Sequence, residues 1–259
     1  YKIPLYDKKV FHMLSLGDST GVFQLESTGI RKIMKRLKPD KFEDIVALLA
    51  LYRPGPLQSG MVDDFINRKN GKEKIEYPHK NLEIILKETY GVILYQEQVM
   101  KIASYMADYS LGEADLLRRA MGKKNFAIMR ENREKFIERA IHNGYTEEKS
   151  EEIFELIDKF AGYGFNKSHS VAYAIISYWT AYFKAYYPAF YYAAVMTSEI
   201  SETGDIAYYF NDAKEHGLRV YSPNVNSPSA YFEVKNEGIT YSLAAIKNFG
   251  LTMAKKIVE

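Results

Sequence analysis

The sequence predicts a mainly α chain, with a multi-helical region over residues 1–200 and then a small α+β segment over 201–259 leading into a helix-hairpin-helix. Three observations carry this expectation. Apolar residues recur at helical spacing in one segment after another up to about residue 200. Proline and glycine stand where those segments must stop. Beyond Ser201 the period shortens to two, as strands require.

Phe42 to Tyr52 places Phe42, Ile45, Val46, Leu48, Leu49 and Leu51 densely enough for a buried helix, which Arg53-Pro54-Gly55-Pro56 ends. Met61 to Arg68 makes another, closed by Asn70-Gly71, and Tyr95 to Met106 carries Val99, Ile102, Ala103 and Met106 at helical spacing. Ser110 is a candidate cap for a helix bearing Leu111, Ala114, Leu117 and Ala120, which Gly122 is expected to end. Phe126 to His142 and Thr146 to Phe160 read as longer amphipathic helices separated by Asn143-Gly144. His169 to Tyr187 is apolar and aromatic almost all round. Its length nearly suits a membrane span, but Ser177, Thr180 and Lys184 interrupt it and its tyrosines suit a packed core, so a buried central helix is expected. Gly217 to Tyr221, Ala230 to Val234 and Ile239 to Leu243 alternate like strands, with Asn236-Glu237-Gly238 as a hairpin turn. Ala244 to Gly250 and the helical run after it form the entry to the helix-hairpin-helix.

The 259 residues suffice for one large domain or two smaller ones, and 47% hydrophobic with 26% charged residues is ordinary for a globular protein. The absence of cysteine excludes disulfides and thiolate zinc sites and fits a reducing, cytoplasmic setting. The five histidines are scattered, so no histidine-built metal site is expected. The chain opens at Tyr1 without an initiator methionine and stops inside the run Met253 to Val258, as if cut from something longer. The net charge of +2 is small, yet Arg118, Arg119, Lys123, Lys124, Arg130, Arg133, Lys135 and Arg139 face only three acidic residues within the same stretch. For a polyanionic partner, such local patches matter more than the total.

Four segments carry candidate chemistry. In Phe160-Ala161-Gly162-Tyr163-Gly164-Phe165-Asn166-Lys167-Ser168-His169-Ser170, Gly162 and Gly164 let the backbone approach a ligand. Asn166 or Ser168 opens a helix whose N–H groups favour an anion, and Ser168 and His169 add donors. Local physics alone favours a simple helix cap with glycines for the turn, since caps are common and anion sites rare. Lysine at 167, where a dinucleotide fingerprint needs a third glycine, excludes that motif. Arg118-Arg119 with Lys123-Lys124 offers two guanidinium forks and two point charges, more than a helix C-terminus calls for. Arg53 beside its proline turn, and Gln96 and Gln98 in Tyr90-Gly91-Val92-Ile93-Leu94-Tyr95-Gln96-Glu97-Gln98, either line a pocket or form a corner and a helix start. No Asp-x-Asp is present, Asp63 and Asp64 diverge on a helix, and no Walker loop occurs, so no residue here is expected to be catalytic or to hold a metal.

Taken together, Gly21 to Ser27, Arg53 to Asp63, Tyr90 to Met100, Leu117 to Lys124 and Phe160 to Ser170 resemble, in order, the bacterial family C replicative DNA polymerases, the DNA polymerase III alpha-subunit family. The resemblance nearly covers Asp7 to Met196 and implies the fingers region of such a polymerase. It implies that Arg118, Arg119, Gly162, Gly164, Asn166, Ser168 and His169 bind the incoming deoxynucleoside triphosphate, with Arg53 and Gln96 near the same pocket. Lys123, Lys124, Arg130 and Arg133 would face primer-template DNA. It further implies magnesium in the full-length enzyme, held by aspartates outside this chain, so this segment alone should bind no metal and be inactive. A sliding clamp and other replisome subunits would be met through other regions, and no membrane is involved. Asn248 stands where the family usually has glycine, which asparagine's tolerance of a left-handed backbone can accommodate. Two other classes compete: a non-enzymatic DNA-binding helical module, and a helical scaffold for protein partners.

Overall fold

The computed structural model describes residues 2–123, 126–160 and 163–259, and of Lys123, Phe126, Ala127 and Thr203 the backbone only. Lys124, Gly162 and the Lys123 side chain therefore lie outside the described residues. Among those described, the chain is mainly helical, as the sequence predicts. The helices are α1 (Lys8–Ser15), α2 (Thr28–Leu37), α3 (Phe42–Leu51), α4 (Pro54–Gln58), α5 (Met61–Lys69), α6 (Glu83–Leu86), α7 (Gln96–Ala107) and α8 (Leu111–Lys123). They continue with α9 (Phe126–His142), α10 (Glu147–Phe160), α11 (Lys167–Tyr186), α12 (Pro188–Ser198), α13 (Thr203–Glu215) and α14 (Leu251–Val258). Three short strands, β1 (Arg219–Tyr221), β2 (Glu233–Lys235) and β3 (Gly238–Thr240), lie between α13 and α14. Contacts divide the chain into two compact units, Lys41–Ala174 and a unit formed by Tyr1–Asp40 with Ile175–Glu259. The change of composition near residue 200 falls within the second of these.

In the unit Lys41–Ala174, α7, α8, α9 and α10 pack in succession around Val99, Ile102, Met106, Leu117, Phe136, Phe154 and Ile157, all buried. Ser110 caps α8 as expected: its hydroxyl accepts from Glu113 N, while the Glu113 carboxylate takes the Ser110 N–H, which is a capping box. Gly122 does not end that helix, which runs to Lys123. Ahead of α7, buried Gln98 organises the chain. Its Oε1 accepts from Leu94 N at 2.8 Å and Tyr95 N at 3.0 Å, and its Nε2 donates to Thr89 Oγ1 and the Ile85 carbonyl. Gln98 is thus a structural residue, not a ligand contact.

The other unit buries Tyr191, Tyr192, Met196, Ile206, Phe232 and Ile239. Its sheet has the order β1-β3-β2, with β1 parallel and β2 antiparallel to β3. The β2–β3 turn is two residues long, with Asn236 and Glu237 at φ 49° and 62°, so Gly238 belongs to the strand and not to the turn. A Cβ on Gly238 would lie 2.7 Å from the Arg219 carbonyl oxygen of the parallel neighbour, which only glycine avoids. The segment expected to enter a helix-hairpin-helix holds a 3₁₀ turn, Leu243–Ala245, before α14, and Asn248 takes the left-handed conformation at φ 67°.

Helix α11 departs from the expected buried cylinder. Ser170, Ala174, Ser177, Tyr178, Ala181 and Lys184 form one buried stripe, whereas Tyr173, Ile176, Phe183 and Tyr186 are 36–46% exposed. A 3.6-residue period sends only one face into a core, however apolar the rest. Among the described residues no helix is long and apolar enough to cross a membrane.

Lys184, fully buried, reaches Asp18 at 2.6 Å and Asp212 at 3.1 Å, and His216 Nε2 meets Asp18 Oδ2 at 2.7 Å. Tyr192 donates to Asp212. Burial opposes charge on His216, but its bonds to Asp18 and to the Asp212 backbone prevail and raise its pKa above the usual value. A raised histidine pKa stabilises fully below the unfolded value of about 6.5, and the contribution is lost as pH rises through the folded value. Hence His216→Gln should lower the melting temperature more at about pH 6 than at about pH 8.5. A deficit equal at both pH values would refute the pairing. For the first unit, Gln98→Leu strands buried N–H groups and should cost at least about 2 kcal/mol in denaturant unfolding. A loss below about 0.5 kcal/mol would show those groups are satisfied otherwise.

Candidate functional site

All the residues singled out by the sequence lie within Lys41–Ala174. A short backbone bridge brings several of them together. Gln96 N donates to the Phe165 carbonyl at 2.9 Å, and Phe165 N to the Leu94 carbonyl at 3.3 Å, a parallel Tyr95–Phe165 bridge. The Gln96 side chain donates to the Gly164 carbonyl at 3.1 Å. Arg53 Nη2 donates to the Tyr163 carbonyl at 2.7 Å, and its guanidinium lies 4.4 Å from the centre of the Phe165 ring. Arg53 and Gln96 therefore act on the backbone of 163–165, fixing the segment by hydrogen bonds to its carbonyls. A Cβ on Gly164 would lie 3.0 Å from Gln96 Cγ and from Phe160 Cε1, so a larger residue there would have to push these side chains aside, which gives the glycine a packing reason as well.

Downstream of this bridge α11 begins. Asn166, and not Ser168, is the cap: its Oδ1 accepts from His169 N at 2.8 Å. The first N–H of the helix, from Lys167, meets both Glu97 carboxylate oxygens at 3.0 Å, and Lys167 Nζ reaches Glu88 at 2.6 Å. The protein's own carboxylate thus sits at the positive end of the helix, where the sequence suggests an anion site. Asn166, Ser168 and His169 remain exposed. His169 stacks 4.3 Å from Tyr173, centre to centre, and meets Phe165 edge-on at 5.6 Å.

Arg118 and Arg119 form a second cluster, on α8. Both converge on Asp115: Arg118 Nε and Nη2 reach Oδ1 at 2.9 and 2.8 Å, and Arg119 Nε reaches Oδ2 at 2.8 Å. The Arg118 hydrogen bond is the main cause holding the Asp115 carboxyl below the usual range. Beside Arg119 opens a cleft of about 470 Å³, lined also by Glu113, Leu116, Ile128, Asn132 and Lys135. On α9, Arg130 lies 3.6 Å from Glu134 and Arg133 3.0 Å from Glu151, while Glu113 receives both Lys135 and Arg139. The basic stretch is therefore largely compensated by carboxylates, two of which, Glu113 and Glu151, come from other helices. Sequence reasoning missed Asp115, Glu97, Glu88 and Glu113. The signal available for Asp115 was its spacing of three and four residues from the arginines on one helix.

A possible metal set occurs elsewhere, in the other unit. Ligand atoms of Asp18, Asp212 and His216 lie within 4.8 Å of one another. The Lys184 ammonium already spans both carboxylates, so this set does not fit a cation.

The family model for the bacterial DNA polymerase III alpha subunit finger domain matches residues 1–144. A DNA polymerase III subunit alpha from Aquifex aeolicus is 52% identical over 259 residues, covering 100% of this chain and 22% of the relative. Those of Escherichia coli K12 and of the Acyrthosiphon pisum strain of Buchnera aphidicola are 51% and 52% identical over 263 residues, each covering 99% of this chain and 23% of the relative. The chain spans less than a quarter of the length of these relatives.

The cap on α11 is open to measurement. Glu97→Ala removes a charge-assisted acceptor from the helix start and should cost about 1 kcal/mol, with Glu97→Gln intermediate. If chemical unfolding finds both variants as stable as the parent, Glu97 does not hold that helix.

Proposed function

The chain belongs to the bacterial DNA polymerase III alpha subunit finger-domain family, part of a replicative polymerase, and from that premise we propose that Lys41–Ala174 receives the triphosphate of an incoming deoxynucleotide. The observation that carries this reading is the convergence of Arg118 and Arg119 on a single carboxylate with three contacts of 2.8–2.9 Å. Two guanidinium groups able to share one carboxylate are equally able to share a phosphate, whose oxygens accept the same forked donors. The adjoining cleft and the exposed Arg119 leave room for a ligand to approach.

In this reading the two arginines offset the charge that grows on the leaving pyrophosphate. Asn166, Ser168 and His169 present further polar groups from the start of α11, and the His169–Tyr173 stack gives them an apolar backing. Arg53 and Gln96 position this segment through its carbonyls, which gives them a supporting place beside the pocket. Lys123, Lys124, Arg130 and Arg133 face the backbone of primer-template DNA. The carboxylate partners of Arg130 and Arg133 make their share smaller than their number suggests. Magnesium would be held by carboxylates outside this chain; among the described residues the Asp18, Asp212 and His216 set is already occupied by the Lys184 ammonium. Template-directed synthesis, the sliding clamp and other replisome partners belong in this proposal to the longer polypeptide.

The deciding experiment is steady-state kinetics on the complete polymerase with Arg118→Ala or Arg119→Ala. Loss of a charged hydrogen bond, roughly 1.5–3 kcal/mol, should lower kcat/KM for the nucleotide about ten- to hundredfold. Primer-template affinity should change far less, and Lys124→Ala should show the reverse pattern. If both arginine variants retain normal nucleotide kcat/KM, the pair is an ordinary basic stretch of helix and the pocket lies elsewhere.

A further inference from the structure

Asp115 is left without a task by the triphosphate reading, on which this inference rests. Both of its oxygens are engaged, Oδ1 by Arg118 and Oδ2 by Arg119. A phosphate cannot take the same donors while this carboxylate holds them, because two anions would share one site. Two residues earlier, Glu113 offers a contrast. It ties Lys135 and Arg139 of α9 to α8 and closes the capping box at Ser110, so its release would undo packing between helices. The partners of Asp115 lie on its own helix, three and four residues on, so their release disturbs no tertiary contact. Exposed pairs at this spacing are weak and easily exchanged.

We propose that Asp115 is a resident anion, occupying the Arg118–Arg119 clasp when nucleotide is absent and displaced from it by the incoming triphosphate. While in place it keeps the two guanidinium groups gathered and disfavours singly charged anions. A polyphosphate, with several negative charges, competes where a single carboxylate or monoanion does not. Asp115 is thus a positioning residue that sets how much charge a ligand must bring.

Asp115→Asn removes the competitor while preserving shape. Binding of inorganic tripolyphosphate to the complete polymerase, in magnesium-free buffer, should become about three- to tenfold tighter. The gain should vanish when Arg118→Ala and Arg119→Ala are added. A merely structural role for Asp115 would produce weaker binding, the opposite sign. Unchanged or weaker binding by Asp115→Asn, or a gain that survives the arginine changes, overturns the displacement. If the arginine variants alone weaken tripolyphosphate binding while Asp115→Asn fails to tighten it, only this inference falls. If the arginine variants leave tripolyphosphate binding and nucleotide kcat/KM untouched, the nucleotide reading falls as well.

Discussion

The candidate site depends on one short backbone pairing, in which Phe165 is clipped between Leu94 and Gln96. The segment that carries Asn166, Ser168 and His169 follows immediately, so its direction is set by where that clip lies. The clip in turn rests on Gln98, whose buried amide satisfies Leu94 N and Tyr95 N and ties them to Thr89. Buried N–H groups that lack a partner are costly, so this arrangement admits few alternatives. Arg53 and the Gln96 side chain then take the carbonyls of Tyr163 and Gly164. Exposed polar groups at the start of α11 thereby follow a segment held at several of its backbone groups.

Charge in the same unit is arranged by pairing. Asp115 serves Arg118 and Arg119, Glu113 serves Lys135 and Arg139, Glu97 and Glu88 serve Lys167. The basic stretch of this unit is thus matched locally, carboxylate by carboxylate, at these positions. In the proposed reading, a polyanion that takes Arg118 and Arg119 exchanges with Asp115, which makes affinity a difference between two similar interactions.

Much of the helical framework is legible in the sequence, because caps and breaks are local chemistry. The bounds of α9 follow from its period, Ser110 and Asn166 cap where their side chains suggest, and Asn248 adopts the left-handed backbone its amide tolerates. What escapes is nonlocal or depends on partners. No periodicity joins residues 1–40 to 175–259, or sets β1 beside β3 in parallel. The apolar sequence of α11 hides which of its faces is covered, since composition does not encode neighbours. In the sequence, Gly164 and the arginines show only what they offer a ligand. Their immediate surroundings, the Phe160 ring and the Asp115 carboxylate, are visible only once the chain is folded.

Lys184 has a consequence of another kind. Asp18, Asp212 and His216 are spaced as chelating groups, and one ammonium keeps them from acting as such. A neutral residue at 184 would leave two carboxylates and an imidazole facing an open centre, the donor set that borderline transition metals favour. The lysine thus does two things at once, completing the pairing and filling by its own charge the place a cation would need.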